Sequence, residues 1–394
     1  MISNRAIFFR HIGQTTNDPL AFEIERAEGI YLYDSAGKDY IDLVSGVSVS
    51  NVGHRHPRVV DAVKDQVDRH MHLLVYGELV QYPQVNFARL LLEQLPQGFD
   101  NIYYVNSGSE ANEGALKLAK KYTGRTEIVG CKNAYHGSTH GALSLMGNEK
   151  YRNPFRPLIP DVRYITFNKE EDLEQITRRT ACVMVEPVQA EAGIVLPRKD
   201  YLQKLRDKCN ETGALLIFDE VQTGFGRTGS LFGMTRFGVY PDIFTIAKGM
   251  GGGMPIGAFV SSKTIMDTLK AQAGLGHITT FGGHPVSAAA AHASLQMILE
   301  EKLVDKVSKK GRKYMESLKH PGIKDMWGTG LFIAIELKDA ATVSRALKKL
   351  AEHGIITDQF IFKPEAFRIA PPLTITEEEI ETSIYRIKKS LDAL

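Results

Sequence analysis

Cysteine is scarce in this 394-residue chain. The three present, Cys131, Cys182 and Cys209, are odd in number and far apart, which argues against a disulfide framework or a clustered metal site and fits a reducing cytoplasm. An excess of charge of one sign is also missing. Lys and Arg number 48 and Asp and Glu 46, so the net charge of +2 gives no electrostatic case for nucleic acid or an anionic membrane. No apolar run approaches the roughly 18 residues needed to span a bilayer. The opening MISNRAIFFRHIGQ lacks an apolar core of signal-peptide length. A soluble, unprocessed protein is expected, with small molecules or another protein chain as partners. Internal repeats, low-complexity tracts and long linkers are absent as well.

What is present is a 43% hydrophobic chain too long for one ordinary core. Short apolar runs alternate with amphipathic segments, the pattern of a largely parallel sheet covered by helices. IYYVN (102–106), EIVGC (127–131), CVMVEPV (182–188), ALLIFDEV (214–221) and DIFTIAK (242–248) predict strands, and 110–122 and 200–212 predict helices. Before residue 48, alternating runs around DSAGK suggest a small hairpin or meander. Residues 286–319 are mainly helical, GLFIAIEL (330–337) predicts a strand, and a last helix starts at Thr376. Segment 143–160 is poor in periodicity and predicts a surface excursion. The expected organisation is a large α/β domain over 49–284 and a smaller α+β domain built from 1–48 and 285–394.

Three stretches carry candidate chemistry. In VNSGSEANEGALKLAKK (105–121) a strand runs through Ser107, Gly108 and Ser109 into a helix, whose exposed amides make a phosphate cradle. The plainer alternative is a serine N-cap with a nearby glutamate. LIFDEVQTGFGRTG (216–229) ends an apolar strand on Asp219 and Glu220. An acid there is costly to desolvate unless a cation pairs with it, and a protonated ring nitrogen would serve; a turn-capping Asp is the alternative, and no histidine stands at ligating spacing for a metal. In IFTIAKGMGGGMPIGAF (243–259), Lys248 follows an apolar strand and precedes a glycine-rich loop. Partial desolvation would lower its pKa and leave the amine free to condense with a carbonyl, while the loop would let backbone approach a planar ligand.

A phosphate cradle, a buried acid and a strand-end lysine are what pyridoxal 5'-phosphate needs. With these motifs, the chain resembles the fold-type I, class III aminotransferases, which include acetylornithine, ornithine and 4-aminobutyrate aminotransferases. The similarity runs from EGIYLYDSAGKDYIDLVSGVSVSNVGHRHP (28–57) to FRIAPPLTITEEEI (367–380). It implies an α/β large domain with a mostly parallel seven-stranded sheet between helices. It also implies that Lys248 forms the Schiff base and moves the proton, that Asp219 pairs with the pyridinium, and that Gln222 lies near the phenolic oxygen. Val221 and Tyr135 of NAYHGST would flank the ring, with His136 and Glu186 also in the cofactor site. Ser107, Gly108 and Ser109 would hold the phosphate, joined by Thr280 of HITTFGGHP reaching across a homodimer from the partner subunit. Arg368 would bind the α-carboxylate of a 2-oxo acid, and Glu191 would pair with Arg368 when the substrate lacks that carboxylate.

The chain departs from these relatives at Ser138, where they commonly carry an arginine for a distal carboxylate, and at His284 and Ala190 in place of asparagine and glycine. The first change opens the donor to a β- or ω-amino acid, a diamine or an amine without a carboxylate, beside an acylated diamino acid. Tyr76, Glu78 and Gln81 stand where relatives line the substrate pocket or the dimer interface. The expectation is a ping-pong transaminase. An aminomutase or decarboxylating transaminase of the same fold, a nicotinamide-dependent oxidoreductase, or a non-catalytic binding protein that keeps the fold are the rivals. For the oxidoreductase, the GMGGG that follows Lys248 leads into MPIGAF and is not a G-x-G-x-x-G set between a first strand and a helix.

Overall fold

The computed structural model describes residues 3–271 and 274–394. Its strands, in chain order, are β1 Ile24–Glu28, β2 Tyr31–Asp34, β3 Asp39–Asp42, β4 Asn101–Val105, β5 Glu127–Cys131, β6 Val162–Ile165, β7 Thr180–Val185, β8 Leu215–Asp219, β9 Ile243–Ile246, β10 Gly257–Ser261, β11 Asp325–Thr329, β12 Phe332–Glu336, β13 Ile355–Ile356 and β14 Ala366–Ile369. β4 to β10 form one seven-stranded sheet in the order β4-β10-β9-β8-β7-β5-β6. All its pairings are parallel except those of β10, which runs antiparallel to both β4 and β9.

This sheet is buried on both faces because its central strands are apolar throughout, as parallel strands covered by helices must be. Alternation along β7 splits the two layers. Cys182 and Met184 pack with Ala111, Ala115 and Leu118 of helix Gly108–Thr123, while Val183 and Val185 join the larger cluster that contains Leu205 of helix Tyr201–Thr212.

The expected strands over 102–248 are all found, β5 with the same ends and the others with ends shifted by one to three residues. Two members of the sheet, β6 and β10, follow stretches that read as irregular. The excursion over 143–160 contains short helical turns at Glu149–Arg152 and Asn153–Phe155 before β6 begins.

The meander β1-β2-β3 turns where Asp34 Oδ1 accepts from the amides of Ala36 and Lys38. β3 pairs in parallel with β13, so segments more than 300 residues apart share one sheet. β11, β12 and β14 make a third, antiparallel sheet. The helical stretch after 285 is two helices, Pro285–Glu300 and Leu303–Ser317, broken where Lys302 takes a left-handed φ of 50°. Helix Pro285–Glu300 packs on helices Pro57–Arg69 and Tyr82–Leu92. The last helix, Glu377–Asp392, starts with a full capping box between Thr376 and Glu379. None of the described helices is long and apolar enough to cross a membrane.

Candidate active site

In a parallel sheet the loops after the C-terminal strand ends meet along one edge. Here the loops leaving β4, β5, β7, β8 and β9 converge on a cavity of about 410 Å³. Ser107, Gly108, Ser109, Tyr135, His136, Glu186, Asp219, Val221, Gln222 and Lys248, separated by up to 141 positions in the chain, all line it. Ten of the residues singled out in the sequence therefore share one wall system.

Ser107 does cap helix Gly108–Thr123, its Oγ accepting from the amide of Glu110 at 3.2 Å. Glu110 turns back to accept from the amide and side chain of Asn106 at 2.7 and 2.9 Å. The cap of the plainer reading forms, and the helix start still faces the cavity. The fit against the neighbouring loop is tight. Gly137 has a φ of 124°, and a Cβ there would stand 2.0 Å from Ser109 Oγ.

Asp219 is almost fully buried, and three donors surround it. Its Oδ1 accepts from the amide of Val221 at 2.9 Å, and its Oδ2 lies 2.8 Å from Asn112 Nδ2 and 2.7 Å from His136 Nδ1. Burial works against charge on His136, but the hydrogen bond and charge of Asp219, with the charge of Glu186, hold its pKa above the usual value. Glu186 accepts from the amides of Tyr135 at 3.1 Å and Ala190 at 3.0 Å. Desolvation pushes its carboxyl up to about 7, against the lowering influence of His136. The adjacent Glu220 points away from the cavity, taking the amides of Gly233 and Met234 at 2.8 and 2.6 Å, so strand alternation assigns the two acids to opposite sides.

Lys248 sits where β9 gives way to a single 3-10 turn, with a left-handed φ of 49°. Its Nζ donates to Gln222 Oε1 at 3.3 Å. Desolvation of the amine lowers its pKa; the charges of Glu191 and Asp219 oppose that shift and Arg368 adds to it. In the loop that follows, Gly253 lines the cavity.

Glu191 and Arg368 lie outside the cavity wall, close enough for their charges to act on Lys248. Arg368, on β14, is 1% exposed, and its Nη2 lies 2.8 and 3.0 Å from the two oxygens of Glu191. Ser138 is exposed, with its Oγ 3.3 Å from the hydroxyl of Tyr135. Tyr76, Glu78 and Gln81 line a separate surface groove with Thr279, and Thr280 next to it is exposed. His284 stacks on His72 with ring centroids 5.5 Å apart.

Two polar residues of the site escaped the sequence. Asn112 is buried between Asp219 and Thr245, giving hydrogen bonds to Asp219 and to the carbonyl of His136 and accepting one from Thr245 Oγ1 at 2.6 Å. Its signal was present: an asparagine on the apolar face of helix Gly108–Thr123, beside Ala111 and Ala115. Asp358 forms an ion pair with Arg368 Nε and carried no local signal.

The family model for class III aminotransferases matches residues 12–391. An acetylornithine aminotransferase of Methanocaldococcus jannaschii is 41% identical over 372 residues, covering 91% of this chain and 90% of the relative. Among solved structures, the ornithine aminotransferase of Toxoplasma gondii, described with pyridoxal phosphate at its active site, superposes with a TM-score of 0.91 at 32% identity, covering 98% and 93% of the two chains. An (S)-enantioselective omega-transaminase of Thermomicrobium roseum superposes at 0.90 with 30% identity, covering 98% and 97%. This chain belongs to the class III aminotransferases, pyridoxal phosphate-dependent enzymes that transfer amino groups to 2-oxo acids.

Proposed function

We propose that the cavity around Lys248 is the cofactor site and that the chain moves an amino group from a primary amine or an ω- or β-amino acid to a 2-oxo acid such as 2-oxoglutarate or pyruvate. One observation carries this reading: the desolvated amine of Lys248 faces the same enclosed space as the carboxylate of Asp219 and the N-terminus of helix Gly108–Thr123. His136 Nε2 and Gln222 Nε2 are buried without a hydrogen-bond partner among the described residues, so polar capacity is left for a ligand. When bound, pyridoxal phosphate supplies an electrophilic carbon for the amine and a ring that takes up the electron pair left by proton removal.

The residues divide the remaining work. The amides and hydroxyls of Ser107, Gly108 and Ser109 hold the phosphate at the positive end of the helix. Val221 and Tyr135 enclose the ring. Asp219, fixed by Asn112, His136 and the amide of Val221, keeps its negative charge aimed at the ring nitrogen. Gln222 orients the amine of Lys248, whose lowered pKa makes it readier to give up a proton and take one back. Glu186 fixes the turn that carries Tyr135. Arg368 receives the α-carboxylate of the acid while Glu191 withdraws.

The donor is assigned from position 138. A serine there has no charge for a distal carboxylate, which supports an amine or an ω- or β-amino acid. A second reading, an acylated diamino acid, has support from the relatives named as acetylornithine aminotransferases. We also infer a homodimer in which Thr280 reaches the partner's phosphate site; the exposure of Thr280 and of the large apolar side chains Val80, Tyr82 and Phe281 supports it. The division into a large domain over 49–284 and a small one from both termini is part of this proposal, supported by the pairing of β3 with β13. Three free, buried cysteines support a cytoplasmic setting.

The test is spectroscopic. Purified protein given pyridoxal phosphate should gain visible absorption that changes on adding an amine. Lys248→Ala should lose that response, with activity down by about 10⁴-fold or more. A screen of amines, ω-amino acids and N-acetylornithine against the same signal then separates the donors. Unchanged absorption with every one of them would defeat the proposal.

A further inference from the structure

We propose that Asp358 is a positioning residue that fixes Arg368, so that Glu191 alone exchanges with the carboxylate of the incoming 2-oxo acid. This rests on the reading of Arg368 as the receptor of that carboxylate. The buried guanidinium of Arg368 meets two acids on different edges. Glu191 contacts only Nη2, with both of its oxygens, and the buried Oδ1 of Asp358 pairs with Nε. Neither Nε nor Nη1 makes a hydrogen bond among the described residues, so Asp358 holds Nε as an ion pair only.

Consider what remains once Glu191 leaves. Nε stays committed to Asp358, and the Nη1 and Nη2 edge is open, which is a two-nitrogen fork that suits a carboxylate. The ring of Phe360, 4.8 Å from Arg368 Cζ, fixes the guanidinium plane. Asp358 and Phe360 lie on one connector between β13 and β14, pinned to β14 where the amide of Arg368 donates to the carbonyl of Asp358 at 3.1 Å. The same connector gives Glu191 somewhere to stay: the amide of Ile361 donates to its Oε2 at 3.3 Å, and the amide of Phe362 to its carbonyl at 3.0 Å. One acid is thus built to hold and the other to let go. Without Asp358 the freed guanidinium could present Nε instead, and the fork would lose its single orientation.

The experiment compares Asp358→Asn, Asp358→Glu and Arg368→Lys in the holoenzyme, reading the KM for 2-oxoglutarate, kcat, and calorimetric binding of unreactive glutarate. Asp358→Asn is expected to raise the KM and weaken glutarate about tenfold with a smaller change in kcat, and Asp358→Glu to recover most of the loss. Asp358→Ser gives the same comparison should the asparagine variant fail to fold. If Arg368→Lys weakens both and Asp358→Asn weakens neither, the positioning role is wrong and the reading of Arg368 stands. If Arg368→Lys leaves both unchanged, the reading of Arg368 falls and the role of Asp358 with it.

Discussion

The backbone of Gly249 lies against the side-chain amide of Asn51, so closely that a Cβ at residue 249 would stand 2.5 Å from Asn51 Nδ2. Asn51 cannot give way freely. Its Nδ2 donates to the carbonyl of Phe225 at 3.0 Å, its Oδ1 accepts from Arg227, and its own carbonyl accepts from the amide of Leu373 at 2.7 Å. The residue after the candidate catalytic lysine is therefore set by packing from a distant segment.

Gly249→Ala should lower stability by about 1–3 kcal/mol, the usual range for overpacking, and should lower activity by moving Lys248. Gly13→Ala, where nothing lies within 4 Å, is the matched control. Urea unfolding of both variants checks this, and equal stability for the two would show that Asn51 yields after all.

Stability should fall as pH rises through neutrality, from two buried groups. Glu186 is pushed up from 4.5 to about 7, so its contribution is whole below 4.5 and is lost as pH passes 7. His136 is raised above 6.5, so its contribution is whole below 6.5 and disappears as pH passes the raised value. Glu186→Gln should flatten unfolding free energy between about pH 4.5 and 7. Asp219→Asn, which removes the partner that raises His136, should flatten it above about 6.5. Urea titrations of cofactor-free protein at several pH values measure both, and a parent-like slope in Glu186→Gln would contradict the first.

Ser138→Arg should redirect the donor. The serine is exposed and has one 3.3 Å contact, with the hydroxyl of Tyr135, so little stability is at stake. A guanidinium placed there should raise kcat/KM for N-acetylornithine relative to a carboxylate-free amine by about tenfold. Steady-state comparison of the two donors decides it; an unchanged ratio would remove position 138 from the account of specificity.

Legibility followed the physics of each segment. β5, β7, β8 and β9 could be read because strands buried on both faces are continuous apolar runs with sharp ends. β6 is an edge strand with partly exposed residues, and its run VRYI is too short and mixed to stand out. β10 starts directly behind a glycine- and proline-rich stretch that reads as loop, although its residues are fully buried. Around the cavity, residues next to a strand end could be placed from sequence. Asn112 shows locally only as a polar residue on the apolar face of its helix, while the partners that give it a role, Asp219 and Thr245, lie more than a hundred positions away. Asp358 was hidden for a different reason: its partner Arg368 is near in sequence but lies across a turn, and its neighbours are unremarkable for charge.

The left-handed backbone at Lys248 bears on any attempt to make this enzyme more heat-tolerant. An L-residue there costs on the order of 1–2 kcal/mol relative to glycine, yet the side chain is the one feature of the position that the proposed chemistry cannot give up. Lys302 has almost the same φ, at the break between two helices and outside the cavity. The two lysines share a left-handed φ, but only the second is open to relief, so gains in heat tolerance have to be sought away from the reacting amine.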